Sequence, residues 1–337
     1  MKLALLATCL SPLLLVPSAE LTPTFSRGQV RTTTFSLENT SETTSVEMIM
    51  NGQSNDDELS QKQTIIRSAT FTDHIQRVEA GMPTSYTREY SDLVSETSWL
   101  IDDPQGEHEL NGSGDSELEG LEIVFEKVDG VFKPSFPEGE ANDGNLLENL
   151  SPLLAWENFL AVGEVEVGAK WEIHPKSLWD ALHLGGALPF DGVGDEDSVK
   201  VLRLAQAIFL GEGAEIDGDI TATLTEINDD LATIEMEVEY SEILDLVEVI
   251  RALAPKEDTA RPEPQSMSHT TDFEGTGTLI WNIKQGHAVS LQLQLSYENE
   301  QNLVMSGDMG GRTFSMEQNI SSEGEFEVAI RVQVTEE

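Results

Sequence analysis

Residues 275–298 read GTGTLIWNIKQGHAVSLQLQLSYE, and their alternation decides the fold class. Val289, Leu291, Leu293, Leu295 and Tyr297 are large and apolar, while Ser290, Gln292, Gln294 and Ser296 fall between them. A period of two marks a strand with one buried face and one wet face, because successive side chains leave opposite sides of the pleat. Leu279, Trp281 and Ile283 form the preceding strand, and Lys284-Gln285-Gly286 is a short glycine-bearing loop of the kind hairpins use. The stretch is a β-hairpin.

Copies of this unit extend outward along the chain. Residues 30–37 and 46–50 read as strands. In 68–90, Phe71 and Ile75 lead through Ala80-Gly81-Met82-Pro83 to Thr84, Tyr86 and Tyr90, with Gly81 where Gly286 stands in the later hairpin. Leu121, Ile123 and Phe125 open a hairpin closed by Asp129-Gly130, a strong turn signal. Ala232, Ile234, Met236, Val238 and Tyr240 alternate with polar residues, as do Phe326, Val328, Ile330, Val332 and Val334.

Between these β parts the period changes. Residues 145–160 carry apolar side chains every three or four positions, 175–184 form a short amphipathic helix around Trp179, and 198–210 present Val201, Leu204, Ala205, Ile208 and Phe209 on one side of the clearest helix. Residues 241–253 fit either a helix or an extension of the preceding strand. The acidic stretches 102–119 and 191–197, and the proline-bearing 254–268, read as loops. The expected fold is mainly β with a helical insert (α+β): an antiparallel, strongly curved sheet or half-barrel built from hairpins. Its parts are a signal peptide (1–19), an N-terminal β-hairpin part (20–140), a helical insert (141–214) and a C-terminal β-hairpin part (215–337), with 28–336 forming one composite domain.

The signal peptide rests on Lys2, a Leu- and Ala-rich run to Val16, and Pro17-Ser18-Ala19, where small residues suit cleavage. Cys9, the one cysteine, lies inside it, so a processed chain carries no disulfide. Leu6-Ala7-Thr8-Cys9 approaches a lipobox but has Thr8 at a position that favours smaller residues, and a soluble exported product is expected, periplasmic or extracellular. No later segment is long and apolar enough to span a membrane as a helix. The formal charge of −43 opposes nucleic acid and anionic lipid headgroups as partners.

Catalytic and metal motifs are missing. His74, His108, His174, His183, His269 and His287 form no close pair and read as isolated surface residues. Asn111, Ser113, Asp115, Glu117 and Glu122 have the spacing of a calcium loop, but Ser116 stands where that loop turns on glycine, and a solvated acidic loop is the better reading. No cofactor is expected, and the chain reads as non-enzymatic. The one-sided apolar strands suit either a filled core plugged by the helices or a concave cavity. For a cavity, Met236, Val238, Trp281 and Leu293 are the candidate lining. The expected partners are an apolar small molecule or, if the protein is a structural or interaction module, another protein of the cell envelope.

In layout, the hairpins at 70–90, 218–240 and 276–298 and the helices between them resemble secreted bacterial β-rich proteins. More remotely the chain is similar to the half-barrel lipoprotein carriers of the LolA and LppX type. That resemblance implies a periplasmic or surface protein with a hydrophobic cavity.

Overall fold

The computed structural model describes residues 16–55, 60–103, 106–138, 144–147, 150–186, 188, 191–193, 214–247, 263–309 and 312–336. The alternating segments form antiparallel strands, some longer than twenty residues. The N-terminal part contains β1 (Ser18–Glu20), β2 (Gln29–Met50), β3 (Gln53–Asn55), β4 (Ser60–Glu79), β5 (Met82–Asp103), β6 (Gly106–Asp115), β7 (Glu122–Val128) and β8 (Val131–Ser135). The middle holds β9 (Glu164–Glu166), β10 (Lys170–Ile173), helix α1 (Pro175–Leu182) and β11 (Asp191–Val193). The C-terminal part is β12 (Glu215–Asn228), β13 (Leu231–Asp245), β14 (Glu263–Asn282), β15 (His287–Met309) and β16 (Arg312–Glu336).

One large sheet runs β10-β12-β13-β14-β15-β16-β2-β4-β5-β6-β11, with β3 beside β2, β7 beside β5 and β8 beside β7. The path does not return on itself, so the sheet is open. β16 pairs with β2 from Met316↔Met50 to Glu336↔Gln29, which places the N- and C-terminal hairpins in the same sheet. The small ribbon β1–β9 stands apart, and its register, Ser18↔Glu166 to Glu20↔Glu164, means that the expected leader boundary at residue 19 falls inside β1.

Register stacks the inward side chains into rows across the strands. One row reads Ile234–Leu279–Leu291–Ile330–Phe35–Ala69, every member buried. The next reads Met236–Gly277–Leu293–Val328–Leu37–Arg67, and above it lies Val238–Gly275–Leu295–Phe326–Asn39–Ile65. Burying each large aliphatic side chain contributes about 1.5–3 kcal/mol, so the lower rows hold most of the hydrophobic stabilisation. The opposite face carries Glu235, Glu237 and Glu239 of β13, Gln292 and Gln294 of β15, and Glu325 and Glu327 of β16, all exposed. This polarity is the reverse of a membrane-spanning barrel, which turns an apolar band outward.

Helix α1 is short because the sequence caps it at both ends. Pro175 occupies its first turn, His174 Nδ1 accepts from the Lys176 N–H at 3.1 Å, and the His183 N–H returns to the Trp179 carbonyl. Pro175, Leu178, Ala181 and Leu182 face inward, while Lys176 and Asp180 pair on the outside. α1 packs beside β12, and Leu182 and His183 at its end line one small cavity with Phe35 and Val94 and a larger one with Leu244 and His269.

Several segments depart from the sequence expectation. Residues 145–160 form two 3₁₀ turns, Gly144–Leu147 and Trp156–Phe159, with no α-helix among their described residues. Their backbone bonds go elsewhere: Ser151 N–H to the Gly185 carbonyl, the Ser151 carbonyl to Arg88, and Leu153 N–H to the Tyr86 hydroxyl. The expected loop at 102–119 is largely β6, where the edge of β5 supplies a template and the buried Gly112 and Gly114 let the strands approach. β14 begins at Glu263, so the second half of the expected 254–268 loop is strand, and β13 continues through Asp245. A register shift at Ile280/Trp281 turns Ala288 inward and leaves Val289 half-buried. The expected helix at 198–210 lies outside the described residues.

A buried ion pair fastens the insert to the sheet. Arg88 donates to Asp73 through Nε at 2.7 Å and Nη2 at 3.1 Å, and its Nη1 reaches the Ser151 carbonyl. Phe71, Tyr86, Tyr90 and Phe125 surround the guanidinium, with centroids 4.9–5.9 Å away. Burial alone would lower the Arg88 pKa, but the Asp73 carboxylate and the two phenols outweigh it and hold the group above its ordinary value. Truncating one partner leaves a buried charge uncompensated. Asp73→Ala is expected to cost about 3–5 kcal/mol in urea unfolding, and Asp73→Leu combined with Arg88→Met should recover most of that loss.

Candidate functional site

Polarity changes along the inner face as the rows ascend. Above Val238 comes Tyr240–Phe273–Tyr297–Gly324–Ser41–Gln63, then Glu242–Thr271–Asn299–Ser322–Thr43, then Leu244–His269–Gln301–Ile320. Where hydroxyl, amide and ionisable groups take over from the apolar lower rows, a cavity of about 350 Å³ opens. That is the low end of the range for small-molecule sites.

An aromatic cluster makes its floor. Phe273 stacks on Tyr240 with centroids 4.7 Å apart and lies 5.6 Å from Tyr297 and 5.7 Å from Phe326. The Tyr297 ring reaches across Gly324, where a Cβ would come within 2.5 Å of Cζ, and its hydroxyl donates to Asn39 Oδ1 at 2.8 Å. A side chain at Gly324 would push the ring off the floor. Leu182 and His183, at the end of α1, supply one wall and Trp99 of β5 lines another side. His183 stacks on Trp179 at 4.0 Å, with its Nδ1 2.7 Å from the Trp179 carbonyl.

Ionisable groups sit in the walls against their solvation preference. Glu242 is 8% exposed, and burial pushes its carboxyl up to about 7. The Trp179 indole lies near it without full hydrogen-bond geometry and relieves part of that shift. His269 is equally buried, and desolvation lowers it to about 4, so the ring is neutral at pH 7. Three residues that line the cavity, His269, Asn299 and Trp99, each hold a buried side-chain atom, Nδ1, Oδ1 and Nε1 respectively, with no hydrogen-bond partner among the described residues. Leaving such a group unmade costs about 1–3 kcal/mol each.

The four residues expected to line a cavity lie lower. Met236, Val238, Trp281 and Leu293 are all buried and lie outside the lining of this cavity, and Leu293 lines a second cavity of about 390 Å³ with Leu37, Gly277 and Val328. Met236 and Leu293 converge over Gly277, where an added Cβ would come within 2.7 Å of Met236 Cε and 2.6 Å of Leu293 Cδ2. Val238 sits in the row of Phe326, one row below Phe273 and Tyr297, and Trp281 pairs with Ala232 on one side and Ala288 on the other. The expectation that histidines lie isolated on the surface fails for His183, His269 and His287, each at most 8% exposed. The signal that would have found the site is a polar residue in the buried phase of a strand: Glu242 follows Met236, Val238 and Tyr240 in phase, and Asn299 follows Leu295 and Tyr297.

Among the described residues no group of His, Cys, Asp or Glu is arranged to hold a metal ion, and no helix is long and apolar enough to cross a membrane. No protein-family model matches the chain, and no curated protein matches it. Among solved structures, one described as "Lipid-protein interactions in lipovitellin" aligns over 93% of this chain at 7% identity, with a TM-score of 0.31. The chain spans 26% of that protein's length. An outer membrane channel from Pseudomonas putida F1 aligns over 93% of this chain and 98% of its own at 8% identity, with a TM-score of 0.23. At these scores neither likeness carries an argument about fold or function.

The two shifted groups act on stability in opposite directions. Folding raises the Glu242 pKa, so its contribution is full below about 4.5 and is lost as pH rises through about 7. Folding lowers the His269 pKa, so its contribution is present above about 6.5 and is lost as pH falls through about 4. Relative to the parent protein, Glu242→Gln should gain about 2–3 kcal/mol between pH 4.5 and 7 in urea unfolding, while His269→Gln should gain as pH falls from 6.5 to 4.

Proposed function

We propose that this protein is a non-enzymatic binder of a small, largely apolar molecule, held over the Phe273–Tyr297–Phe326 floor on the concave side of the sheet. One observation carries the reading: a single aromatic-floored cavity is lined by His269, Asn299 and Trp99, each of which holds a buried polar atom without a hydrogen-bond partner among the described residues. A molecule with an apolar body and a polar end would cover the rings and pair with those atoms, offsetting a cost that the protein alone bears. The floor gives area and the upper rows give orientation. The leader pattern at residues 1–19 supports a binder that works outside the cytoplasm, and the charged outer face suits a chain bathed in water on that side.

Titration with the neutral fluorescent amine N-phenyl-1-naphthylamine tests this reading. Saturable enhancement is expected, and Thr271→Trp, which fills the cavity from its middle row, should weaken binding by about tenfold or more while circular dichroism stays unchanged. Enhancement that does not saturate, or is indifferent to Thr271→Trp, would overturn it.

A further inference from the structure

The cavity contains a carboxyl group without a counter-charge. Glu242 points inward from β13, lines the cavity, and makes no ion pair among the described residues. The charged or titratable groups around it are otherwise occupied or neutral. From β4, Lys62 at the rim pairs with Glu42 at 3.1 Å, with both side chains more than half exposed. From α1, the His183 ring is engaged with the Trp179 carbonyl. From β14 comes His269, neutral at pH 7, and from β15 the Tyr297 hydroxyl, which donates to Asn39. On β13 itself, the Tyr240 phenol one row below is pushed up by burial and by the neighbouring Glu242.

Phe273 and Tyr297 one row below Glu242, and Phe326 two rows below, line the same cavity and pack edge and face against one another. An aromatic face attracts a cation through its quadrupole, and the attraction strengthens when both are desolvated. A charge of −43 draws cations toward the protein and repels anions. Taken together, we infer that the molecule bound here is an organic cation, an ammonium group joined to an apolar body, with Glu242 as its counter-ion and the aromatic floor as its platform. This inference rests on the cavity-binding reading above and adds the charge of the ligand.

A consequence is proton linkage. In the free protein Glu242 takes up a proton near neutral pH because burial disfavours its charge. A bound cation reverses that preference, so binding near pH 6.5–7 releases a proton, and affinity falls as pH drops through about 7.

The test is calorimetric titration of the full chain with decylamine, decanol and decanoate, below their aggregation limits and in 0.5 M salt to screen the outer carboxylates. At pH 8 decylamine is expected to bind about tenfold tighter than decanol, with decanoate weakest. At pH 5.5 the amine's advantage should vanish, and at pH 7 the binding enthalpy should vary with buffer ionisation enthalpy as a released proton requires. Glu242→Gln should remove the preference for the amine over decanol, whereas Glu325→Gln on the outer face should leave that preference in place. Equal affinity for amine and alcohol, or tightest binding of decanoate, would overturn the cation inference while leaving a cavity binder in place. Absence of saturable binding by all three, together with no effect of Thr271→Trp on the fluorescent titration, would overturn both.

Discussion

Strand β16 lies against β2 from one end of each strand to the other, and this pairing ties the two hairpin parts into common rows. Without it Leu293 and Val328 would have no continuation in Leu37, nor Tyr297 and Gly324 in Ser41. A single slip of one residue would turn every apolar side chain of β2 outward, because the side-chain period is two. The registered rows are thus the constraint from which the rest follows: a buried apolar lower core, a polarity gradient and a cavity where the gradient crosses from apolar to polar.

The alternation in 289–297 and 232–240 fixes strands, faces and hairpins, and it made the class of fold legible. Non-local choices were hidden. Residues 145–160 carry a helical spacing, yet Ser151 and Leu153 give their backbone bonds to Gly185 and Tyr86, partners more than thirty residues away. Residues 106–115 carry turn-forming glycines, yet the free edge of β5 pairs with them. In both cases tertiary hydrogen bonding overrode local preference.

The candidate site was legible only as an irregularity. A search for cavity residues among the cleanest apolar positions leads to Met236, Val238, Trp281 and Leu293, which are buried outside the aromatic-floored cavity, Leu293 against a separate one. Well-packed apolar rows close on themselves, whereas a ligand site is where packing is interrupted and polar groups are held inside. Glu242, His269 and Asn299 interrupt the pattern in this way, each in the inward phase of a long strand. The cavity they line also takes in Asn39 and Ser41, two to four strands away, which no local window contains.

The β2–β16 pairing also sets the order of events in folding. One of the last strands to be synthesised must find one of the first, so contacts across nearly the whole chain length have to form before the rows are complete. Such a topology has high contact order, and its large loop-closure entropy delays the cooperative step. The N-terminal hairpins alone expose one apolar side of an unfinished sheet, with β2 still offering a free edge. A chain emerging vectorially therefore leaves this sheet unfinished until β16 is available, and the apolar side of the early hairpins stays uncovered in the interval.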